Sequence, residues 1–203
     1  MASEILNPWR MNVYGSDEMS DPDVVFFESG LRLIKGQGDL KTALATFVHL
    51  IAEDAKSTAA SIYAVDAANQ VLKTLVTLGL PQSYVKNCGD IPIGEQCCGR
   101  AVALRKPWIV ADMLSDPLFE SAQNAALESP IRAAFSVPII DDRNHCLGSL
   151  ACHYSEAHTP PKEAIKRNEE WARLLAHAIS QYKANGNGRG PQPSDSALRT
   201  EAH

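Results

Sequence analysis

The sequence lacks long apolar segments and an excess of basic residues, and both absences narrow its functions. No apolar run approaches the roughly 18 residues that a membrane-spanning helix needs, so we expect no membrane partner. The 203 residues carry a formal net charge of −5, whereas nucleic-acid-binding domains usually show a basic stripe, so we expect no nucleic-acid partner. The N-terminus has no basic region followed by an apolar stretch, which predicts a chain without a secretory signal.

The cysteines are irregularly placed. The five cysteines, at positions 88, 97, 98, 146 and 152, are an odd number without the spacing of a disulfide framework. This usage predicts reduced thiols in a cytoplasmic protein. On one strand, Cys146 and Cys152 would lie about 20 Å apart, so they and their neighbours His145 and His153 cannot share one zinc ion. We therefore expect no metal site.

The motifs of common enzymes are also missing. The chain has no glycine-rich phosphate loop, no nucleophile elbow with a Ser, His and Asp order, and no convincing pair of carboxylates. Hydrophobic residues make up 45% of the chain, an ordinary share for a globular protein. The sequence therefore favours a binding module over an enzyme.

Composition divides the chain into three parts. Residues 1–20 show no periodic spacing of apolar residues, so we expect a flexible arm there. Residues 184–203 are rich in Gly, Asn, Pro and Ser, a composition that predicts a disordered tail. Between them, residues 21–183 contain the periodic segments, so we expect a single domain there.

Long helices bracket the predicted domain. Apolar spacing predicts the first over Asp39–Ala55 and the last over Pro161–Lys183, and the start signal Asp-Pro makes Asp23–Ile34 a candidate further helix. The last helix carries a continuous apolar stripe from Trp171 to Tyr182. Two interpretations stay open: the stripe belongs to the core of the domain, or the Leu40–Ile51 and Trp171–Tyr182 helices form a homodimer.

Five strand-like segments lie between the helices. Turn-forming residues at Asp66–Asn69 and Asp141–Asn144 join two pairs of them as hairpins. Several segments are apolar on both faces, so the sheet needs a cover on each side. The long helices supply one cover, and Gly79–Cys98 with Asp112–Pro130 must supply the other. The strand segments are Ala59–Val65, Val71–Leu78, Trp108–Ala111, Ala133–Ile140 and Cys146–Tyr154.

Three linked motifs resemble the GAF family of sensory domains. They are IPIGEQCCGRAVALRKPWIVADMLSDP, RAAFSVPIID with its Ser-x-Pro, and CLGSLACHYSEAHTP before the closing helix. The resemblance covers roughly residues 38–183 and is especially close to GAF domains of bacterial sensor kinases and NreA-type nitrate receptors. It implies an α+β fold with a central mixed or antiparallel sheet of about six strands. The N- and C-terminal helices would lie on one face and a ligand pocket on the other.

The resemblance also implies a function in signal transduction. Such a domain binds a small molecule and acts through a separate partner, here a histidine kinase of a two-component system or a transcription regulator. One alternative is a cysteine-dependent enzyme similar to free methionine sulfoxide reductases, with Cys88, Cys97 and Cys98 in the corresponding half. A helix N-terminus would lower a thiol pKa there, but residues 116–134 lack that family's additional cysteine. A second alternative is a GAF adaptor without a ligand.

Eight residues are candidate ligand contacts. Cys98, Gly99 and Arg100 stand where a loop enters a helix, and the free N–H groups of a helix start suit an anion such as nitrate, a carboxylate or a phosphate. Alternation places Arg132 and Ser136 on one side of a strand, where they can pair with an oxyanion. The full set is Tyr63, Cys98, Gly99, Arg100, Trp108, Arg132, Phe135 and Ser136.

Each candidate also has a purely structural interpretation. Cys98 can be a small core residue at a helix start, Arg132 an edge residue that reaches solvent, and Tyr63 and Trp108 plain core aromatics. Haem held by a histidine fits the resemblance as well, because some sensory GAF domains bind haem. The ligand and any cofactor therefore stay unknown from the sequence.

Overall fold

A computed structural model describes residues 40–184 of the chain. The predictions for residues 1–20, for a helix over Asp23–Ile34 and for the tail beyond residue 184 lie outside these residues. The described strands are β1 Ala59–Asp66, β2 Val71–Leu78, β3 Ile91–Pro92, β4 Trp108–Val110, β5 Ala133–Ile140 and β6 Cys146–Tyr154. The α-helices are α1 Leu40–Asp54, α2 Gln82–Cys88, α3 Gln96–Leu104, α4 Gln123–Leu127 and α5 Lys162–Ala184, and a 3₁₀ helix spans Pro117–Ala122.

The six strands form one sheet in the order β3-β2-β1-β6-β5-β4, and every adjacent pair is antiparallel. Both predicted hairpins are present, since β1 pairs with β2 and β5 pairs with β6. The predicted α+β fold with a six-stranded antiparallel sheet is therefore confirmed. The central strands β1 and β6 are largely buried, as their continuous apolar composition requires.

Helices α1 and α5 cover one face of the sheet. Helix α1 packs on β1 and β2, while α5 packs on β5 and β6. Phe47 and Trp171 meet edge to face with ring centroids 5.6 Å apart, and the indole N–H of Trp171 donates to Asp54 at 3.2 Å. The apolar stripe of α5 thus contributes to the core of its own domain, and a homodimer through these helices stays a prediction.

The opposite face of the sheet is covered by α2, α3, α4 and the 3₁₀ helix. Helix α3 packs mainly on β5 and β6. Alternation along the strands sends Ser61, Tyr63, Ala151 and His153 to this side, while Ile62 and its neighbours on the other side face the helix pair. Both faces are therefore covered, as the apolar strands require. No helix between residues 40 and 184 is long and apolar enough to span a membrane.

Candidate functional site

A small cavity lies between the sheet and the helices α2 and α3. Its volume is about 10 Å³, close to the least that accommodates one water molecule. The polar groups around it are tyrosine hydroxyls, an imidazole, an amide and thiols. The lining residues are Tyr63, Tyr84, Cys88, Ile91, Gln96, Cys97, Cys98, Met113, Phe119, Ala134 and His153.

His153 on β6 is one of the residues that line this cavity. Its Nε2 lies 2.8 Å from the hydroxyl oxygen of Ser61, whereas its Nδ1 is buried and has no hydrogen-bond partner among residues 40–184. Burial lowers the pKa of His153 to about 4, so the imidazole is neutral at neutral pH. A buried nitrogen without a partner costs about 1–3 kcal/mol, which a hydrogen-bonding guest would offset.

Two tyrosine hydroxyls lie in the same cavity. The Tyr84 hydroxyl donates a weak bond to the sulfur of Met113, at 3.7 Å, and also interacts with the Cys88 side chain. The Tyr84 ring lies edge-on to that of His153. Burial raises the pKa of Tyr63 and of Tyr84 above the usual range, so both hydroxyls stay protonated. The cavity therefore offers hydrogen-bonding groups without a net charge.

The cysteine thiols at the cavity are protonated as well. Burial raises the pKa of Cys88 and of Cys98 to about 11 and places that of Cys97 well above its ordinary value. The Cys97 thiol donates to the carbonyl oxygens of Trp108 and Ala134, at 3.4 and 3.5 Å. The prediction that the helix start lowers a thiol pKa is wrong here, because burial of a thiolate costs more than the helix start offsets.

Gln96 begins α3 in a left-handed backbone conformation, with φ of +50°. Its side chain is buried and lines the cavity. A residue with a side chain in this conformation costs on the order of 1–3 kcal/mol, and such strain is concentrated at binding sites. The strained residue thus lies at the entry of the helix that the sequence singled out.

Of the predicted helix-entry residues, only Cys98 lines the cavity. A Cβ atom at Gly99 would lie 2.2 Å from the carbonyl oxygen of Pro92. The backbone at Pro92 therefore packs directly against Gly99 and leaves no room for a ligand there. Arg100 is buried beside Trp108, with its guanidinium carbon 5.4 Å from the ring centroid. The three residues therefore do not form one anion site at the start of the helix. Cys98 faces the cavity, whereas Arg100 lies beside Trp108.

Arg132 forms an ion pair with a neighbouring carboxylate. Its guanidinium donates to both carboxylate oxygens of Asp112, at 2.8 and 2.9 Å. The predicted alternation fails at this position, because Ile131 packs in the same cluster as Ala134 and β5 begins only at Ala133. Arg132 is therefore not among the residues that line the cavity.

The ion pair predicts a specific effect of an Arg132→Gln substitution. Hydrogen bonds from Arg132 hold the pKa of Asp112 below its ordinary value of 3.8. This pair contributes stability above the unfolded pKa and loses it as the pH falls below about 4. In the variant, carboxyl NMR titration should show the pKa of Asp112 returning towards its ordinary value, with reduced stability loss on acidification. An unchanged titration of Asp112 would contradict the assignment.

Phe135 and Ser136 lie on opposite faces of β5. Phe135 packs with the helix pair and stacks on Tyr154 at 6.4 Å, so it is separated from the cavity by the sheet. The Ser136 hydroxyl contacts that of Ser149 and donates to the Leu150 carbonyl oxygen at 3.0 Å. Both residues therefore have structural partners, and Phe135, a predicted ligand contact, lies on the face of the sheet opposite the cavity.

Sequence reasoning missed several residues of the cavity. Tyr84, Gln96, Met113 and Phe119 come from short helices and a loop of the cover, which are too short for a period to show which way each residue faces. His153 could have been found, because alternation from Ser149 along β6 places it on the same face. In the part of the chain that the structure describes, no group of His, Cys, Asp and Glu could hold a metal ion.

Solved structures similar to this chain share its fold. The GAF domain of a phosphoenolpyruvate-protein phosphotransferase from Coxiella burnetii superimposes with a TM-score of 0.69 at 21% identity, over 81% of this chain and 96% of that one. The corresponding domain from Acinetobacter gives 0.68 at 18% identity, over 83% and 99%. A free methionine-R-sulfoxide reductase from Neisseria meningitidis, in complex with its substrate, gives 0.65 at 19% identity, over 85% and 98%.

Sequence comparison gives one match to a family and none to a curated protein. No curated protein matches the chain. The family model described as GAF domain matches residues 39–182, which is most of the chain. Such domains generally bind ligands in signalling. The chain therefore belongs to the GAF domain family.

Proposed function

We propose that this GAF domain is a sensory module that binds a small uncharged molecule in the cavity between β6 and α3. The observation that carries the proposal is that His153, a residue of the cavity lining, has a buried Nδ1 without a hydrogen-bond partner among the described residues. The hydroxyls of Tyr63 and Tyr84 are protonated beside it. A neutral guest suits these groups better than the anion expected from the sequence, because an ion would be desolvated without a counter-charge.

Binding requires the cavity to expand, since about 10 Å³ accommodates no more than a water molecule. The sheet wall is held by the pairing of β1 with β6, so the side that moves is the one with α2 and the 3₁₀ helix. A ligand shifts a protein between two arrangements only by binding one of them better. We propose that the expanded arrangement is presented to a separate partner, a histidine kinase or a transcription regulator.

Binding rather than catalysis is the function that the thiols support. Three cysteines line the cavity, and the chain shares its fold with sulfoxide reductases, so a thiol enzyme is the alternative. However, a thiol with a pKa of about 11 contains very little thiolate at neutral pH, and the thiolate is the nucleophile. A chain that catalysed sulfoxide reduction would need an arrangement in which these pKa values fall.

A Tyr84→Phe substitution should weaken binding of an uncharged guest in the cavity about threefold to tenfold, because one hydrogen bond is lost. Acetamide and dimethyl sulfoxide are suitable probes, titrated while backbone NMR signals of β6 around His153 are followed. The matched control is Tyr182→Phe, which removes a hydroxyl from α5 on the other face. Affinity should be unchanged in the control.

Three results separate the alternatives. Saturable shifts around His153 that weaken in Tyr84→Phe support the proposal. Steady consumption of methionine sulfoxide with a dithiol reductant, lost in Cys98→Ser, would show a thiol enzyme instead. No saturable shift and no turnover would contradict both and leave an adaptor without a ligand.

A further inference from the structure

Arg100 carries a buried positive charge without the hydrogen bonds that such a group normally makes. The residue is only 4% exposed, on the side of α3 that faces β4. Neither Nη1 nor Nη2 has a hydrogen-bond partner among residues 40–184. Guanidinium donors left unpaired in a protein interior are costly, so this arrangement is incomplete as it stands.

Trp108 places a second unpaired donor beside the first. Its Nε1 is buried without a partner in the described part of the chain, and its ring lies 5.4 Å from the guanidinium carbon of Arg100. An indole N–H can only donate, and a guanidinium can only donate. Three nitrogen atoms of two adjacent side chains therefore require acceptor oxygens.

The nearest carboxylate does not satisfy these donors. Asp116 approaches Arg100 with an Oδ1 to Nη1 distance of 3.6 Å, which is a charge contact but longer than a hydrogen bond. The Asp116 side chain is 19% exposed, whereas that of Arg100 is 5% exposed, so solvent lies on the far side of the carboxylate. Because both Nη atoms of Arg100 are buried, an anion from solution would reach the guanidinium only if Asp116 moved.

We propose that Arg100 and Trp108 form a binding site for a small planar monoanion, a carboxylate or nitrate, which takes the place of the Asp116 carboxylate. The planar fork of arginine matches two oxygens of such an anion, and the Trp108 N–H can reach a third acceptor position. The single positive charge of Arg100 favours one negative charge over the two of a phosphate. This site is separate from the cavity, whose lining does not include Arg100.

Displacement of Asp116 would also affect the cavity, a consequence that rests on the proposed function. The carbonyl oxygen of Asp116 accepts the backbone N–H of Phe119 at 3.0 Å, and Phe119 closes the cavity. If the Asp116 segment moves, Phe119 moves with it and the cavity can expand. Anion binding and occupation of the cavity would then favour each other, as linkage requires.

The indole N–H signal of Trp108 in NMR spectra tests the site directly, and Trp108→Phe assigns it. Sodium nitrate and sodium acetate are titrated separately against sodium chloride at matched ionic strength. We expect a saturable shift with nitrate or acetate and none with chloride, and the anion that binds identifies the class. The Arg100→Lys variant keeps the charge but loses the fork, so its Kd should rise about tenfold or more.

Asp116→Asn is the second variant, on a partly exposed side chain. Because the competing carboxylate is removed, the affinity for the anion should increase. Tyr182→Phe, on the opposite face of the sheet, should leave anion affinity unchanged, and the anion titrations contain no cavity guest, so the two sites succeed or fail separately. The proposal is overturned if neither anion gives a saturable shift, if Arg100→Lys binds as tightly as the wild type, or if Asp116→Asn does not bind more tightly.

Discussion

Replacing Gly99 by alanine should destabilise the domain by about 3 kcal/mol, although alanine is the better helix former. The added Cβ would lie 2.2 Å from the carbonyl oxygen of Pro92, a distance that forces α3 away from β3. The obstacle is backbone and cannot rotate aside. Chemical denaturation of the wild type and the variant measures the difference in the free energy of unfolding. The α3 residues that line the cavity should be displaced in the variant.

The sign of the effect makes this prediction sharp. If Gly99 had free space beside it, alanine in the middle of α3 would stabilise the protein by about 0.5–1 kcal/mol. The matched control is Ala103→Gly, an exposed position of the same helix, which should cost about 1 kcal/mol from helix propensity alone. A stabilised Gly99→Ala variant would refute the close packing and restore the interpretation that this glycine leaves room for a ligand.

The regular elements could be predicted because apolar periodicity determines them. The predicted bounds of β2, β5 and β6 agree with the structure, and α1 and α5 differ from prediction by one residue at most at each end. Both hairpins follow from their turn-forming residues. Three elements are too short for an apolar period to show, namely the helices α2 and α4 and the two-residue strand β3. The sequence therefore predicts only that their segments cover one face of the sheet.

The candidate site was harder to predict, because it depends on how the irregular segments pack. Tyr63, a candidate from the sequence, lines the cavity, although the sequence allowed a plain core aromatic equally well. Alternation does not hold for Arg132, because this residue precedes the first residue of β5, and its partner Asp112 is 20 residues distant in sequence. A pairing of this kind follows from tertiary structure and has no local signal.

The cysteine pattern shows a similar limit. The sequence places Cys97 and Cys98 at a helix start, and that position alone predicts a reactive thiol. Burial, which the sequence does not specify, decides the chemistry in the opposite direction, because desolvation is the largest cause of the raised pKa of each. Local position therefore predicted where these residues lie but not how they behave.

Acidification from about pH 6.5 to pH 4 should remove about 3 kcal/mol of stability through His153 alone. Burial lowers its pKa from 6.5 to about 4 in the folded protein. Within this window the unfolded chain binds a proton that the folded protein does not, so the free energy of unfolding falls with the pH. Below about pH 4 both states are protonated at this residue and its contribution becomes constant.

The His153→Gln variant isolates this contribution, since glutamine does not titrate yet can still hydrogen bond to Ser61. Its free energy of unfolding, measured by denaturation from pH 7 to pH 4, should depend much less on pH than that of the wild type. His177→Gln, an exposed histidine on α5, is the control and should keep the steep wild-type profile. Parallel profiles for the wild type and His153→Gln would show that the imidazole is not buried in neutral form, and the main support for an uncharged guest in the cavity would be lost.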